Sequence, residues 1–259
     1  MSSLNLNRYT SDKNYLVTIS SAITAISLLM LVFAVFGYRY NFLSVGYSLL
    51  FLTKYAIYIS LFAFVLSLIA LGYSLKLYKK FMYIIICIFV LSINLTIISF
   101  FYIKVNDLRS NPMINDVSTN YLDIIEFKVH TEHNLPKGEH SLIQKYGGFK
   151  LPNYNLSSLI LSGKSKQVVF NKSLELIENM GLEITFKDLE EGIIEAVEKS
   201  FWYGFNDDII IRIENLISGD IIIDVRSASR TGRSDFGANS KRIKSYLNMI
   251  QKEISFSYK

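Results

Sequence analysis

The chain has 259 residues, of which 51% are hydrophobic and 19% are charged. This average is too apolar for one soluble domain and too polar for membrane helices alone, so the two kinds of residue must be segregated. The formal net charge of +5 arises in the apolar first part, because residues 104–259 contain slightly more acidic than basic residues. A basic soluble domain is therefore excluded, and we predict no nucleic-acid partner.

Three stretches near the N-terminus contain no charged residue. They are Tyr15–Phe36, Tyr55–Leu75 and Phe81–Ile103. About 20 helical residues cross the hydrocarbon core of a bilayer, in which the backbone must satisfy its own hydrogen bonds. We therefore predict three transmembrane helices, an anchor over residues 1–103 and the lipid bilayer as a partner. Asn94 and Thr96 are expected to bond a neighbouring helix. Charge-free spans argue against a transporter, because ion and proton paths use ionisable side chains.

The short loops between these stretches differ in positive charge. The N-terminal tail and the second loop share a side when there are three spans, and their basic residues are Arg8, Lys13, Lys76, Lys79 and Lys80. The first loop carries Arg39 and Lys54. Because basic loops stay in the cytoplasm, we expect a multi-pass protein of the bacterial inner (cytoplasmic) membrane. Residues 104–259 would then lie outside the cytoplasm, in the cell envelope.

Cysteine and histidine usage gives no sign of a metal centre. Cys87 is the single cysteine, so neither an internal disulfide nor a cysteine metal cluster can form. His130, His133 and His140 are spaced too loosely for a zinc motif. We predict no metal and no cofactor.

The remainder of the chain divides into two parts. Residues 104–169 contain all three prolines and lack periodicity, which predicts an extended or irregular segment. Residues 170–259 show alternating helical and strand patterns, which predict the α+β core. The predicted elements are a helix over 170–180, strands over 182–187, 193–201, 209–214 and 221–226, and a helix over 243–254. Short turns between these strands predict a two-layer domain with a mainly antiparallel four-stranded sheet covered by the helices.

Two long motifs occur in this core. Residues 201–208 read FWYGFNDD and residues 223–239 read IDVRSASRTGRSDFGAN, while residues 115–120 upstream read NDVSTN. Over roughly residues 112–250 the chain closely resembles the bacterial and plant family called domain of unknown function 1499. The resemblance implies a domain that is often membrane-anchored, and it implies no reaction.

The second motif leads into a strongly basic stretch. Residues 226–244 contain six basic residues and one carboxylate, Asp235. Glycine turns and helix N-termini direct backbone N–H groups at anions, and arginine adds planar, bidentate donors. We therefore predict a ligand site for an anionic small molecule or lipid headgroup. Its candidate residues are Arg226, Arg230, Arg233, Ser234, Asp235 and Asn239.

A structural role for the same residues is the competing interpretation. Asp235, or Asn239 one turn later, is a suitable N-cap for the last helix. Arg226 is expected to pair across strands with Glu214 or with the partners of Asp224. Arg230 and Arg233 are expected to pair with Asp207 and Asp208.

Two function classes follow from these observations. The first is a membrane-anchored, extracytoplasmic, non-catalytic binding or envelope-accessory module that recognises an anionic group. The alternative is a hydrolase that uses Asp207, Asp208 or Asp235, with arginines stabilising charge. No residue is assigned a catalytic role. The aromatic run 201–205 is expected to end a core strand, or else to line an apolar pocket or contact the membrane.

Overall fold

The structure is a computed structural model that describes residues 14–78, 81–134 and 156–256. The chain divides into two compact units, Met1–Val105 and Asn106–Lys259. The two units differ in the kinds of element they contain, because the hydrophobic and charged residues are segregated along the sequence. The first unit consists of long apolar helices, and the second is built around a β-sheet.

Three helices of the first unit are long and apolar enough to cross a membrane, as predicted. Helix α1 covers Tyr15–Arg39, and α2 covers Lys54–Tyr73 with π-helical turns before it at Gly46–Thr53 and after it at Ser74–Tyr78. Helix α3 covers Phe81–Ser110. It continues past the predicted span because no helix-breaking residue occurs before Pro112.

Small side chains line the buried faces of these helices. The buried residues of α2 are Ala56, Ser60, Ala63, Ser67 and Ala70. Small residues at this alternating spacing of four and three allow close helix packing in a membrane. The predicted interhelical role of Asn94 is confirmed, because it donates to Thr24 Oγ1 and accepts from Ser60 Oγ, both at 2.8 Å. The same prediction is wrong for Thr96, which bonds the Ser92 carbonyl of its own helix.

The described part of the second unit contains six strands and two further α-helices. In chain order they are β1 Asp116–Ser118, β2 Leu159–Leu161, α4 Lys166–Asn179, β3 Glu183–Asp188, β4 Ile193–Lys199, β5 Asn206–Asn215, β6 Ile221–Ser229 and α5 Ala238–Phe256. All strand pairs are antiparallel, in the order β1–β6–β5–β4–β3, and β2 also pairs with β6. The prediction of four strands was therefore wrong. Strands β1 and β2 are too short for a periodic signal, and both lie in the segment predicted to be irregular.

One face of the sheet is apolar and packs against the two helices. Alternate residues of β5 and β6 point to this side, and they contact α4 through Phe170 and Ile177 and α5 through Ile243 and Ile250. The residues that β5 and β6 contribute to this core are Ile209, Ile211, Ile213, Ile221, Ile223 and Val225. The predicted amphipathic helices therefore cover the apolar face of an antiparallel sheet.

The other face of the sheet is rich in buried charge. Residues 119–134, which we call the covering segment, lie against it and contribute Ile125 and Phe127 to a small apolar cluster. Four charged side chains on this face are nonetheless buried: Glu195, Asp208, Asp224 and Arg226. Because a buried charge is costly without a partner, each of them must be engaged within the domain.

Three connecting segments meet at one end of the sheet. Lys199 lies opposite Asn206, Asp207 opposite Ser229, and Asp116 opposite Ala228. The connection 111–115 and the loops 200–205 and 230–237 are therefore neighbours, and we call this the anchor end. The prediction that the aromatic run ends a strand was wrong, because β4 stops at Lys199 and the run forms the β4–β5 loop.

Candidate functional site

Arg226 is a buried arginine that joins three parts of the domain. Its side chain is 1% exposed on β6. Nε and Nη2 donate to the two carboxylate oxygens of Asp116 at 3.0 and 2.7 Å, and Nη1 donates to the Ile125 carbonyl at 2.7 Å. The guanidinium also lies 4.9 Å from the Phe127 ring centroid. The expected pairing of Arg226 with Glu214 or with the partners of Asp224 was wrong, because its carboxylate partner is Asp116. Arg226 therefore holds β1 and the covering segment on the sheet.

Arg230 and Asp208 form a second ion pair on the same face. Asp208 is fully buried, and Arg230 donates Nε to Oδ2 and Nη2 to Oδ1, both at 2.7 Å. His133 Nε2 lies 2.8 Å from Asp208 Oδ2, and His130 Nε2 lies 2.6 Å from Arg230 Nη2. Because arginine only donates, this nitrogen of His130 is the acceptor. Of the two expected partners, Arg230 therefore pairs with Asp208.

The pKa of Asp208 reflects two opposing effects. Burial raises it, because a charged carboxylate loses its hydration. Hydrogen bonds from Arg230 and His133 and the charge of Arg230 act in the other direction, and the net effect lowers the pKa to about 2. Asp208 is therefore ionised at neutral pH. This makes it poorly suited to donate or accept a proton in catalysis.

Glu195 binds the backbone of the covering segment. This fully buried carboxylate of β4 accepts the backbone N–H groups of Lys128 at 2.7 Å, Val129 at 3.2 Å and His130 at 3.1 Å. Three N–H donors around one carboxylate stabilise its negative charge through charge-assisted hydrogen bonds. The covering segment is thus fixed to the sheet by its own main chain.

Asp207 points to the opposite face of the sheet from Asp208, as consecutive residues of a strand do. Its carboxylate accepts from Arg242 Nη2 at 2.7 Å. Arg242 is buried on α5 and also bonds Glu198 and, at 2.8 Å, Ser227 Oγ. Asp207 and Asp208 are therefore separated by the sheet and cannot act together on one substrate.

Asp235 bonds the start of α5 as predicted for a cap, although it lies two residues before Gly237, the residue that directly precedes the helix. Its two carboxylate oxygens accept the backbone N–H groups of Gly237 at 2.8 Å and Asn239 at 2.9 Å. Burial raises the pKa of Asp235, and these two hydrogen bonds partly offset that effect. Asn239 has a different role, because its amide accepts from Ser227 Oγ and donates to the Asn115 carbonyl, both at 2.9 Å.

Arg233 and Ser234 differ from the other predicted site residues. They lie on the turn after Gly232, whose φ of 97° is rarely adopted by residues with a side chain. The Gly232 carbonyl accepts Asn115 Nδ2 at 2.6 Å, which holds this turn beside the connection to α3. The Arg233 side chain is exposed and has no hydrogen bond or ion pair to another residue in the described part of the chain. Ser234 Oγ accepts the Phe236 N–H at 3.3 Å.

The structure therefore divides the six predicted residues by environment. Arg226, Asp235 and Asn239 are buried in internal networks, Arg230 is partly exposed but ion-paired, and Arg233 and Ser234 lie at the surface. Sequence reasoning did not select Asp116, Glu195 and Arg242. A glutamate inside the apolar strand sequence IIEAV was a usable signal for Glu195, because an unpaired carboxylate is disfavoured there.

The histidines take part in ion pairing rather than forming a separate cluster. His130 and His133 contact Arg230 and Asp208, while His140 lies outside the described residues. In the ranges that the structure describes, no group of three or more His, Cys, Asp or Glu side chains is positioned to hold a metal ion.

Comparison with known families agrees with the predicted resemblance. Residues 111–250 match the family described as Protein of unknown function (DUF1499). The chain belongs to this family. No curated protein matches the sequence.

The DUF1499 match begins at the connection before β1 and ends within α5, so it includes all six strands and the covering segment. The ion pairs of Arg226, Arg230 and Arg242 all lie inside it. The three apolar helices precede the DUF1499 match entirely, since α3 ends at Ser110.

Proposed function

We propose that this protein is a membrane-anchored, non-catalytic binding or envelope-accessory module whose DUF1499 domain recognises an anionic group outside the cytoplasm. One observation carries the proposal. Arg226, Arg230 and Arg242 are each neutralised by a carboxylate, whereas Arg233 has no such partner in the described part of the chain. Arg233 is thus available to an external anion.

The surroundings of Arg233 support an anionic ligand. The carboxylate nearest in sequence, Asp235, is buried and engaged by two backbone N–H groups, so it does not neutralise the surface. Lys241 follows in the first turn of α5 and is exposed. A guanidinium on a fixed glycine turn can bind a phosphate or carboxylate bidentately, which suits a small anion or a headgroup.

The test is a titration of the full-length protein in detergent with phosphate and with sulfate, followed by calorimetry. We expect Arg233→Gln to abolish the binding seen for the wild type. Lys187→Gln is the matched control, because Lys187 is an exposed cation on β3. Binding that survives Arg233→Gln, or a wild type that binds neither anion, would contradict the proposal.

A hydrolase is the second candidate, and one cleft favours it. Glu198, Asp207 and Arg242 line this cleft together with Ser200 and Lys241. Carboxylates and an arginine in one cleft are the arrangement that a hydrolase requires. Both carboxylates are bonded to Arg242, however, and within the described residues Ser200 Oγ accepts the Phe205 N–H at 2.8 Å and has no hydrogen bond to a carboxylate or histidine. Turnover of chromogenic phosphate or carboxylate esters, lost in Asp207→Asn, would establish the hydrolase and overturn the binding module.

The proposed orientation has a separate test. The positive charge of the N-terminal tail and second loop supports a C-terminal domain outside the cytoplasm. Alkaline phosphatase fused to the C-terminus of the full chain should be active, because it matures outside the cytoplasm, whereas a fused green fluorescent protein exported by the same route should be dark. The reverse pattern would place the domain in the cytoplasm.

A further inference from the structure

We infer that the anchor end of the sheet docks on the bilayer, with Phe201 and Trp202 in the interface and Arg233 at the headgroups. The inference rests on the proposed function and names the source of the anionic group, which is a lipid headgroup of the membrane that holds the three helices. Three independent features of the second unit lead to it: two exposed aromatic side chains, the point where the chain joins the sheet, and the basic residues beside both.

The first feature is the β4–β5 loop. Phe201 is 90% exposed and Trp202 is 41% exposed, although both are large aromatic residues. Tyr203 is buried in the same loop and stacks on Phe205 at 5.3 Å between ring centroids. The loop thus buries Tyr203 against a half-buried Phe205 and exposes Phe201 and Trp202. The indole of Trp202 has an apolar body and a polar N–H, a combination that favours the membrane–water interface, and the Phe201 ring adds apolar area beside it.

Main-chain hydrogen bonds fix the loop in this conformation. Ser200 N donates to the Phe205 carbonyl at 2.8 Å, and Gly204 N donates to the Ser200 carbonyl at 3.0 Å. Gly204 has a φ of 75°, which closes the loop. Because the loop is already ordered, inserting its two outward aromatic residues requires little further loss of conformational entropy.

The second feature is the position at which the chain joins the sheet. Helix α3 continues to Ser110, and only residues 111–115 separate it from β1. At about 1.5 Å per helical residue and 3.6 Å per extended residue, the connection from the last apolar residue, Ile103, reaches less than roughly 30 Å. Asn115, at the end of this connection, bonds the Ser229 N–H and the Gly232 carbonyl. The short connection therefore gives the anchor end a high effective concentration at the bilayer surface.

The third feature is the chemistry of the neighbouring residues. Met113, in the connection itself, is 56% exposed. Lys199 ends β4 directly before the aromatic loop and is exposed, and Arg233 projects from the adjacent turn. Apolar side chains flanked by exposed cations are the combination that binds an anionic membrane surface.

The opposite end of the sheet supplies a control. Ile217 lies in the β5–β6 turn and is fully exposed, so it matches Phe201 as an exposed apolar residue. Its turn carries the carboxylate of Asp220 and lies at the far ends of β5 and β6 from residue 201. The inferred docking leaves Ile217 in water.

The protein contains a built-in probe, because Trp202 is its single tryptophan. The full chain is reconstituted in nanodiscs of phosphatidylglycerol and phosphatidylcholine, with and without bromine on the acyl chains near the headgroup. Bromine quenches tryptophan emission only on contact. We expect brominated lipid to quench Trp202 and water-soluble acrylamide to quench it weakly. Phe201→Ser should reduce the quenching by lipid, whereas Ile217→Ser should leave it unchanged.

Emission that brominated lipid leaves unchanged and acrylamide quenches fully would overturn the docking. So would equal quenching in the wild type and in Phe201→Ser. If Arg233 binds phosphate in detergent while Trp202 is never quenched by lipid, the proposed function stands and the docking is wrong. If Trp202 is quenched in pure phosphatidylcholine as well, and no free anion binds, the docking stands and anion recognition is wrong.

Discussion

Asp207 and Asp208 are adjacent in the chain, yet their carboxylates bind different arginines on opposite faces of the sheet, Arg242 and Arg230. Each aspartate ties the sheet to a different layer. Asp207 holds α5, and Asp208 holds the covering segment through His133. The two ion pairs therefore stabilise the layers of the domain, which explains why so much charge is buried within it.

Arg230→Gln should destabilise the domain strongly, because it leaves the buried carboxylate of Asp208 without its main partner. Removing one member of a buried pair costs about 3–5 kcal/mol of unfolding free energy. Arg233→Gln, three residues away, should change the unfolding free energy by less than about 0.5 kcal/mol, since this arginine is exposed. Denaturant unfolding of the full-length protein measures both. The double variant Asp208→Asn, Arg230→Gln should lose less than the sum of the single changes; strict additivity would show that the two do not interact.

The stability of the domain should fall in acid through Asp208. The folded-state pKa of Asp208 is about 2, below the ordinary value of 3.8. Its contribution to the free energy of unfolding is therefore fully present at pH values above 3.8. That contribution, roughly 2 kcal/mol, is lost as the pH falls through the interval between these two values. Unfolding free energies of the wild type and Asp208→Asn at pH 7, 5, 4 and 3 should converge as the pH decreases. Parallel curves would show that Asp208 is not the group responsible.

Glu195→Gln should loosen the covering segment without unfolding the sheet. A carboxylate accepts three backbone N–H groups here, and the amide of glutamine offers a single acceptor oxygen. Hydrogen exchange of the peptide containing residues 128–130 should accelerate, while exchange in β5 stays slow. Glu183→Gln is the control, because Glu183 is exposed on β3. Unchanged exchange at 128–130 would contradict the assigned role.

Asn94→Leu should weaken the three-helix unit, since Asn94 bonds side chains of both α1 and α2. A polar contact between membrane helices contributes about 1 kcal/mol. Thr96→Val is a matched control on the same helix, because Thr96 is exposed and bonds only its own helix. Unfolding in mixed micelles is followed by circular dichroism. The midpoint of unfolding should be lower in Asn94→Leu than in the wild type and unchanged in Thr96→Val. Equal midpoints would mean that the Asn94 contacts do not hold the helices together.

Much of this fold follows from periodicity. The three charge-free stretches predicted the three long helices, and alternating isoleucines predicted β5 and β6. The recurrence of Ile243 and Ile250 predicted α5. These signals exist because one face or one stripe of each element meets an apolar surface.

The covering segment could not be predicted in this way. It binds the sheet through backbone N–H groups that reach Glu195 and through a carbonyl that accepts from Arg226. Every residue has such backbone groups, so the contact leaves no pattern in the side chains. The partner of Arg226 was also hidden, because Asp116 lies 110 residues earlier in the chain. Local sequence could show that Arg226 needs a counterion but not which one binds it.

The two outer strands of the sheet have a consequence for copies of this chain that meet in the plane of a bilayer. Strand β6 is covered on its outer side by β1 and β2. At Val225, which lies between the residues paired with these two strands, the N–H and the carbonyl of β6 are bonded by Thr119. Strand β3, at the other side, has a bulge between Ile184 and Phe186 and directs exposed charged side chains outward. Bulges and charges on an outer strand oppose the addition of a strand from another molecule. The construction of these two outer strands therefore opposes joining of the sheets of two neighbouring copies.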